Sequence, residues 1–354
     1  MKLSPEQKHS ITEILKFPKE VQTLGGYAGT GKTTVISHIV RAQPNFAVCA
    51  FTGKAANVLR KKGVQATTIH SLIYHIRKGP DGKSDLDENG NPIWELKPSL
   101  EAEGLICDEA SMVSEDLYQD LLSFGLPVIF VGDHGQLEPV QGNFNIMQQP
   151  DYTLEEIHRN AGDIARFAEW IRKGYLPAAF ERQVRSDSVI FLNKWQMGQY
   201  MDRVDQIICA FNQTRVEMNA QVRQKLGFYT QGPEVNDRVM CLRNNNKIGL
   251  FNGMQGKINY LYQKNKMQFK SDDDRNYDVR FDKSAFGKAN PDISRNRDDP
   301  DPFDWCYVVT CHKAQGDEWD KTMVVEQRSN QWDHRRWGYT AASRAKEFLA
   351  WVAK

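Results

Sequence analysis

The stretch "GGYAGTGKTT" at residues 25–34 decides the fold class of this 354-residue chain. Its core, Gly26–Thr33, matches the pattern G-x-x-x-x-G-K-[ST], with a strand-like apolar run before it and a helix-like run after it. The start of a helix favours an anion, because the helix dipole and the unpaired backbone N–H groups both point at it. A flexible glycine turn is the alternative interpretation, but it would not require the flanking strand and helix. The stretch therefore predicts a phosphate-binding loop in an α/β domain.

The residues of this loop have predicted roles toward a nucleoside triphosphate. Backbone N–H groups surround the phosphates, Lys32 reaches the β and γ phosphates, and Thr33 ligates Mg²⁺. The predicted nucleotide-binding residues of the loop are Gly26, Gly29, Thr30, Gly31, Lys32, Thr33 and Thr34.

Acidic residues end two later apolar runs, "GLICDEA" and "PVIFVGD", where open α/β sheets bind their ligands. Asp108 is predicted to hold Mg²⁺ through water, and Glu109 to act as the base for an attacking water. Gln136, in "VGDHGQLEPV", is predicted to contact the γ-phosphate and that water. Two alternatives stay open. The acidic pair can have no role in catalysis, because acidic pairs after apolar runs are common. Gln136 can be a loop residue whose side chain is hydrogen-bonded to backbone.

Composition limits the class of protein. With 46 Lys+Arg against 45 Asp+Glu the formal charge is +1, so bulk charge does not indicate a nucleic-acid binder and local patches must carry any such role. The six cysteines form no C-x-x-C pair and are predicted to be buried reduced thiols, which favours a reducing compartment. No apolar run is long enough to span a membrane, and the first residues lack a signal-peptide core. We expect an intracellular protein.

Strands and helices alternate in two separate parts of the chain, each with an insertion. The predicted first α/β domain comprises residues 1–74 and 98–150, interrupted by a β-hairpin at 75–97 that contains Trp94. The predicted second domain comprises 151–235 and 305–354, interrupted by a small β-barrel at 236–304. The fold class is therefore α/β with two parallel sheets.

Many segments, in order, resemble the motifs of the superfamily 1B helicases of the RecD-like and phage Dda-like branch. The matching segments are "LSPEQ", "GYAGTGKTT", "AFTGKAA", "TTIHSL", "DEASMV", "GDHGQLEPV", "LEEIHRN", "NQTRVEMN", "FNGMQG", "TCHKAQGDEWD" and "YTAASRA". They cover nearly the whole chain, and their common order is more specific than any single match. Motif V has Ala314 where the family often has Ser, a change that removes no charge.

The resemblance implies two RecA-like P-loop NTPase domains with ATP between them, and an SH3-like barrel in the second. It implies 5′ to 3′ translocation on single-stranded DNA, with duplex separation at a fork. Gln7 would read adenine, and Arg159, Gly316, Glu318 and Arg344 would face the nucleotide from the second domain. The strand contacts implied by the resemblance are Thr52, Lys54, Thr68, His70, Thr310 and His312.

The hairpin resembles the strand-separating pin of the family, and Trp94 would stack on the base pair at the fork. Packing of Trp94 against its own domain is the alternative. The acidic runs "SDDDR" and "NRDDPD" repel phosphate, so we expect those faces of the barrel to point away from DNA.

The leading prediction is an ATP- and Mg²⁺-dependent DNA helicase, active as a monomer, with single-stranded and fork DNA as partners. A single-strand-binding or replisome protein is a further expected partner, and the compact length favours a phage source and the host cytoplasm. Two other functions stay open: an RNA-directed helicase or triphosphatase, and a non-unwinding ATPase that remodels protein partners on DNA. The sequence does not choose between replication, repair and recombination.

Overall fold

The structure is a computed structural model. It describes residues 3–16, 19–78, 85, 93–137, 144–156, 162–245, 248–294, 299–330 and 332–353. The chain divides into two compact units. The first comprises Met1–Ser84, Trp94–Leu176 and Trp332–Ser343, and the second comprises Asp85–Ile93, Pro177–Gln331 and Arg344–Lys354.

The first unit is built on a six-stranded sheet in the order β3-β2-β6-β7-β1-β8, in which every pair of neighbours is parallel. The elements from the N-terminus to the end of this part of the chain are α1 (Pro5–Lys16), β1 (Val21–Gly26), α2 (Lys32–Ala42), β2 (Phe46–Ala50), α3 (Gly53–Lys61), β3 (Ala66–Thr68), α4 (Ile69–Ile73), β4 (Tyr74–Ile76), β5 (Trp94–Leu96), β6 (Gly104–Asp108), a 3₁₀ turn (Ala110–Met112), α5 (Glu115–Leu122), β7 (Val128–Gly132), β8 (Tyr152–Leu154) and α6 (Asp163–Arg172).

Alternate residues of the central strands fill two cores, one on each face of this sheet. In β6, Ile106 packs into the core that also holds Leu24 and Ile36, whereas Leu105 and Cys107 pack into the opposite core. A strand buried on both faces is apolar throughout, as the sequence "GLIC" is. All six cysteines of the chain are buried free thiols, as predicted.

The second unit is built on a five-stranded parallel sheet, β16-β10-β17-β18-β9, and a closed five-stranded barrel, β11–β15. Its part of the chain contains α7 (Pro177–Gln183), β9 (Val189–Leu192), α8 (Lys194–Met197), β10 (Gln206–Cys209), α9 (Asn212–Lys225), β11 (Arg238–Cys241), β12 (Gln255–Tyr262), β13 (Lys266–Ser271), β14 (Asn276–Asp282), a 3₁₀ turn (Lys283–Ala285), β15 (Asp301–Trp305), β16 (Val308–Thr310), β17 (Trp319–Val325) and β18 (Ala345–Val352). Helix α10 (His334–Ala342) precedes β18 in the chain and belongs to the first unit.

These features confirm the predicted fold class: two RecA-like α/β domains with parallel sheets, a β-hairpin (β4 and β5, antiparallel) and a barrel insertion. The tip of the hairpin lies outside the described residues. No helix in the described part of the chain has the length and apolar character that a membrane crossing requires.

The boundary predicted at residue 151 differs from the division of contacts, which falls after Leu176. Strand β8 extends the first sheet beside β1, pairing Tyr152 with Leu24. The Asp151 carboxylate accepts hydrogen bonds from the backbone N–H and the hydroxyl of Thr23, both at 2.8 Å. Strand β8 has three residues, which is too few for hydrophobic periodicity to assign it to a sheet from sequence. Its pairing with β1 places it in the first unit.

Candidate nucleotide-binding site

The predicted phosphate-binding loop connects the carboxyl end of β1 to the N-terminus of α2. Gly29 and Gly31 both have φ of 84°, a conformation open to glycine and strained for other residues, and Gly31 is the N-cap of α2. Within the loop, Thr30 donates its N–H to the Tyr27 carbonyl at 3.2 Å and its hydroxyl to the same oxygen at 2.9 Å. The loop is thus fixed by its own hydrogen bonds in a shape that carries donors toward the helix start.

Two of the glycines are required by space. A Cβ at Gly26 would stand 2.7 Å from the Thr30 hydroxyl oxygen, and a Cβ at Gly31 would stand 2.3 Å from the Gln7 side-chain nitrogen. Both distances are shorter than any ordinary contact, so a side chain at Gly26 would displace Thr30, and one at Gly31 would displace the Gln7 amide that donates to the loop. This cradle fits a phosphate chain, which needs close approach to the backbone.

Lys32 begins α2 and extends its ammonium group over the loop. Its Nζ donates to the Gly26 carbonyl at 2.7 Å and to the Tyr27 carbonyl at 3.2 Å. The ammonium is therefore held beside the loop in a position to exchange these carbonyls for phosphate oxygens. The next two residues, Thr33 and Thr34, lie in the first turn of α2, and the N–H of Thr34 donates to the Gly31 carbonyl at 2.9 Å.

Gln7, on α1, is buried and hydrogen-bonded to the phosphate-binding loop. Its side-chain nitrogen donates to the Thr30 carbonyl at 3.0 Å, and its side-chain oxygen accepts the N–H of Ser4 at 3.0 Å. The predicted reading of adenine by Gln7 stays a prediction, whereas its contact with the phosphate-binding loop is a feature of the structure.

The predicted acidic pair lies at the carboxyl end of β6. Asp108 accepts the N–H of Glu109 at 2.9 Å, and burial raises the pKa of the Asp108 carboxyl against the opposing influence of that hydrogen bond and of the Lys32 and Lys62 charges. Glu109 has φ of 56°, an uncommon value for a residue with a side chain. Left-handed backbone of this kind concentrates at functional sites, where surrounding structure holds it in place. The Lys32 charge lowers the pKa of Asp108, so the acidic pair lies within electrostatic reach of the phosphate-binding loop.

These groups fit Mg²⁺. The ion is held in many nucleotide sites by one or two protein oxygens together with substrate phosphates, and it keeps several waters. Asp108 and Thr33 supply that number of protein oxygens. A cluster of three or more His, Cys, Asp or Glu side chains, which a protein-only metal site would need, does not occur among the described residues.

A hydrogen-bond relay joins the phosphate-binding loop to the loop that follows β7. The Ala28 N–H donates to the Tyr339 hydroxyl at 2.9 Å, and that hydroxyl donates to Asp133 Oδ2 at 2.8 Å. The same carboxylate oxygen accepts Gln136 Nε2 at 3.1 Å. All four residues belong to the first unit, and Asp133 and Gln136 are buried. The buried Gln136 Oε1 accepts no hydrogen bond from the part of the chain that the structure describes.

Helix α10 carries this relay and is fixed to the same loop by two further residues. Arg336 donates to the carbonyls of His134 and Gln136 at 3.1 and 3.0 Å, and the Thr340 hydroxyl accepts the N–H of Leu137 at 3.0 Å. Neither Tyr339 nor Asp133 was singled out from the sequence, although both lie inside quoted motifs. The sequence signal that could have identified Tyr339 and Asp133 is a polar group in an otherwise apolar segment.

Aromatic and cationic groups cover the outer side of the loop at Tyr27. The Arg172 guanidinium lies 4.1 Å from the centre of the Tyr27 ring, and the rings of His134 and Tyr339 lie 4.4 and 6.0 Å from it. Burial lowers the pKa of His134, and the Arg172 and Lys32 charges lower it further, while Asp133 and Glu155 oppose the shift. The imidazole is therefore held in its neutral form beside the cations.

The residues predicted in the second unit form a group of their own. Arg344 is buried and donates to the carbonyl of Asp317 at 3.2 Å, between Gly316 and Glu318. Gly316 has φ of 79°, which this turn requires. Arg344, Gly316 and Glu318 are thus brought together. Arg159 lies outside the described residues.

The predicted nucleic-acid residues follow the carboxyl ends of strands or lie beside them. Thr52 and Thr68 cap α3 and α4, accepting the N–H groups of Ala55 at 3.1 Å and Ser71 at 3.2 Å. Lys54 lies in the first turn of α3, and His70 lies in α4, 5.6 Å from the Tyr74 ring.

Three more of these residues lie elsewhere. Thr310 ends β16 and is buried, and His312 follows it, with its pKa lowered by burial. Trp94 begins β5, is 40% exposed, and pairs with Ile76 across the hairpin. Roles of all these residues toward DNA stay predictions.

Comparisons with known proteins agree with this geometry. Residues 2–194 match the family model described as an AAA domain, and residues 306–352 match the model described as a UvrD-like helicase C-terminal domain. The ATP-dependent DNA helicase Dda of Enterobacteria phage T4 is 32% identical over 196 residues, covering 49% of this chain and 43% of that protein. The ATP-dependent RecD2 DNA helicase of Deinococcus radiodurans is 24% identical over 375 residues, covering 97% of this chain and 48% of that protein.

A solved structure shares the fold over the whole chain. The Pif1 helicase from Bacteroides, in complex with ADP-AlF3 and single-stranded DNA, superposes with a TM-score of 0.61 at 20% identity, covering 100% of this chain and 93% of that one. The chain spans less than half of the length of the two curated relatives. Since the AAA-domain model covers more than half of the chain and the helicase C-terminal model follows it in order, the chain belongs to superfamily 1B of the helicases.

Proposed function

We propose that this protein is an ATP-dependent DNA helicase that translocates 5′ to 3′ on single-stranded DNA and unwinds duplex DNA at a fork. The observation that carries the proposal is the relay in which Tyr339 ties Ala28 of the phosphate-binding loop to Asp133 and Gln136. A domain that only bound nucleotide would not need this tie, whereas a motor must pass the state of the nucleotide to other elements. The names of Dda and RecD2 and the ligands of the Pif1 complex support the same activity.

The loop and the acidic pair divide the work of hydrolysis. Backbone N–H groups of Gly29, Thr30 and Gly31 and the Lys32 ammonium bind the phosphates of ATP. The Thr30 N–H and the Lys32 ammonium would exchange their present carbonyl acceptors for phosphate oxygens. Thr33 and Asp108 would hold Mg²⁺, which when bound would neutralise phosphate charge. Glu109 accepts a proton from the attacking water, and the carboxamide of Gln136, once it turns toward the γ-phosphate, orients that water.

In this proposal the Gln136 carboxamide has two orientations, one toward Asp133 and one toward the γ-phosphate. Gln136 Nε2 and the Tyr339 hydroxyl both donate to Asp133 Oδ2. When the carboxamide of Gln136 turns toward a γ-phosphate, Asp133 loses one donor and depends more strongly on Tyr339. Tyr339 also accepts from Ala28, so α10 responds to events at both loops.

The remaining predicted residues complete this function as proposals. Arg159 and Arg344 stabilise charge on the transferring phosphoryl group, a role worth about 10³–10⁵ in rate. Gln7 reads adenine, and Gly316 and Glu318 contact the nucleotide. The residues proposed to contact the DNA strand are Thr52, Lys54, Thr68, His70, Thr310 and His312. Alternating affinity of two such sets of contacts through the ATP cycle moves the strand in one direction, by a monomer.

The test measures ATP turnover and strand displacement on duplexes with a 5′ or a 3′ single-stranded tail, in DNA and in RNA. We expect displacement from 5′-tailed DNA alone, with turnover stimulated by single-stranded DNA. Displacement from RNA tails would favour the RNA-directed alternative, and stimulated turnover without displacement would favour the protein-remodelling alternative. Displacement from 3′ tails alone would overturn the polarity.

The hairpin is proposed to separate the strands, with Trp94 stacking on the base pair at the fork. We expect Trp94→Ala to slow strand displacement about 10-fold, in line with the loss of one base–aromatic stack, and to spare DNA-stimulated ATP turnover. Tyr175→Ala, which removes another exposed aromatic side chain of the first unit, is the control. Equal loss of displacement and turnover in Trp94→Ala would assign Trp94 to packing.

A further inference from the structure

The outer surface of the barrel carries rows of side chains that the strand register sets across β12, β13 and β14. Tyr262 lies opposite Lys266, which lies opposite Arg280, and all three are exposed. The next row contains Tyr260, Gln268 and Asp278, and the third contains Lys257, Lys270 and Asn276. In these three fully described strands, the rows hold four basic residues and one acid.

A β-bulge brings the two tyrosines together. The register shifts between Ile258 and Tyr260, so Ile258 points into the barrel while Tyr260 and Tyr262 both point outward. Their ring centres lie 4.8 Å apart, and the residues are 57% and 44% exposed. Two neighbouring aromatic rings in water at one site are costly, since burial of apolar surface is the main favourable term in folding. Such a pair indicates a binding surface.

Acidic groups collect at the other end of the barrel. Asp272 and Asp274 lie in the turn between β13 and β14, where Asp272 pairs with Arg238 at 2.9 Å and Asp274 pairs with Lys270 at 3.0 Å. The six residues of β13 separate this turn from Tyr262 and Lys266 by roughly 20 Å. The carboxylates of this turn are therefore screened from the tyrosine end, because the separation exceeds the screening length of about 8–10 Å at physiological ionic strength. At the tyrosine end the rows contain one acid, Asp278, whose carboxylate lies beside Tyr262, against the two cations Lys266 and Arg280.

A groove continues the surface beyond Tyr262. It has a volume of about 400 Å³ and is lined by Tyr262, Lys264 and Lys283 together with the segment from Thr230 to Pro233. Tyr262 thus borders both the rows of the sheet and the groove, and lysines flank the groove. The surface formed by Tyr260, Tyr262, Lys266 and Arg280 is called here the tyrosine face.

We propose that the tyrosine face binds single-stranded DNA, with bases stacked on Tyr260 and Tyr262 and phosphates paired with Lys266 and Arg280. The combination of exposed rings and nearby cations matches the way proteins hold unpaired strands without choosing a sequence. A duplex does not offer the faces of its bases to these rings, so the ligand is a single strand. The choice of DNA rests on the proposed function, whereas the chemistry of the face rests on the barrel alone.

Two pairs of variants test this surface by anisotropy of a fluorescent oligo-dT of about 40 nucleotides. We expect Tyr260→Ala with Tyr262→Ala to weaken binding at least about 10-fold, because one stack per ring is lost. Tyr260→Phe with Tyr262→Phe keeps both rings and should bind like the parent. ATP turnover without DNA should match the parent in all of them, since these residues belong to the barrel of the second unit and the phosphate-binding loop belongs to the first.

The second pair tests the phosphate contacts through salt dependence. Lys266→Gln with Arg280→Gln should lower the slope of log affinity against log salt by about 1.4, the value for two phosphate contacts on a single strand. Lys321→Gln, an exposed lysine of β17 in the same unit, should leave the slope unchanged. Parent-like affinity in the alanine pair together with a parent-like slope in the glutamine pair would overturn the proposal, as would equal weakening in the alanine and phenylalanine pairs.

Photocross-linking separates this inference from the proposed function. Oligo-dT containing 5-iododeoxyuridine should cross-link to Tyr260 or Tyr262 in the parent, as mapped by mass spectrometry. Cross-linking without strand displacement on any substrate would refute helicase activity and support the face. Displacement by a parent that cross-links only outside the barrel would refute the face and leave the helicase proposal standing.

Discussion

The nucleotide site and the tyrosine face bind through opposite arrangements of polar and aromatic groups. In the first, Asp133 and Gln136 are buried, and their hydrogen bonds pass through Tyr339 to the phosphate-binding loop. In the second, Tyr260 and Tyr262 are 57% and 44% exposed on the outer surface of the barrel, with their ring centres 4.8 Å apart. A buried network can transmit a change of state, whereas an exposed platform can hold a strand and release it.

The two regions also differ in how the chain encodes them. The loop is a local motif with fixed spacing, since glycines must stand where φ is positive and where a Cβ would collide. The face depends on which residues of three strands lie opposite one another, and on one bulge. Changes at the loop should therefore abolish chemistry, while changes at the face should weaken binding and leave chemistry intact.

The largest expected effect separates the two regions directly. Lys32→Ala should lower ATP turnover at least about 10³-fold, because it removes the cation held over the loop at 2.7 Å from the Gly26 carbonyl. Binding of oligo-dT should stay within about 2-fold of the parent. Lys8→Ala, on the exposed side of α1, is the control for turnover. Near-normal turnover in Lys32→Ala would remove the phosphate-binding role from this loop.

Local motifs made the first region predictable from sequence. The loop, the Asp108–Glu109 pair and the barrel insertion all lie where the sequence indicated, because each depends on residues adjacent in the chain. The relay was missed, since Ala28, Asp133 and Tyr339 are far apart in sequence and only the packing of α10 joins them. The tyrosine face was missed because cross-strand register and a bulge are properties of the folded barrel.

Tyr339→Phe tests whether the buried network matters to catalysis as well as to stability. The variant keeps the ring beside Tyr27 but leaves the Ala28 N–H without its acceptor and Asp133 without one donor. We expect ATP turnover to fall about 100-fold, which corresponds to about 2.7 kcal/mol of barrier. Steady-state turnover at saturating ATP measures this effect.

A matched control for that variant lies in the second unit. The Tyr307 hydroxyl accepts the N–H of Arg238 at 3.0 Å and donates to the buried Asp237 at 3.1 Å, the same pattern as at Tyr339. Tyr307→Phe should lower the free energy of unfolding and spare turnover. If both variants lose stability and both keep turnover, the relay is a structural feature and the proposed function loses its main support.

Gly256→Ala tests whether register creates the tyrosine face. A Cβ at Gly256 would stand 2.1 Å from the Lys270 carbonyl oxygen and 2.7 Å from the Ser271 Cα, so the β12–β13 pairing must shift. We expect the free energy of unfolding of the second unit to fall by about 2 kcal/mol and oligo-dT binding to weaken, with basal ATP turnover unchanged. Urea unfolding followed by tryptophan fluorescence measures the first effect. Gly198→Ala, where no atom lies within 4 Å, is the control, and equal stability of the two variants would contradict the role of register.

The smallest expected effect concerns His134, whose neutral form the nucleotide site favours. Burial and the Arg172 and Lys32 charges hold the pKa of His134 below its usual value near 6.5, against Asp133 and Glu155. As pH falls below about 6.5, His134 of the unfolded chain takes up a proton before His134 of the folded chain does, so stability present above that pH is lost on acidification.

His134→Phe keeps a ring beside Tyr27 and removes this loss, so its free energy of unfolding should fall less between pH 7.5 and 5.5 than that of the parent. The difference should be under about 1 kcal/mol, because the imidazole is only partly buried and solvent screens its charge. His9→Phe, on the exposed side of α1, serves as the reference. A parent-like pH dependence in His134→Phe would show that folding does not lower the pKa of His134.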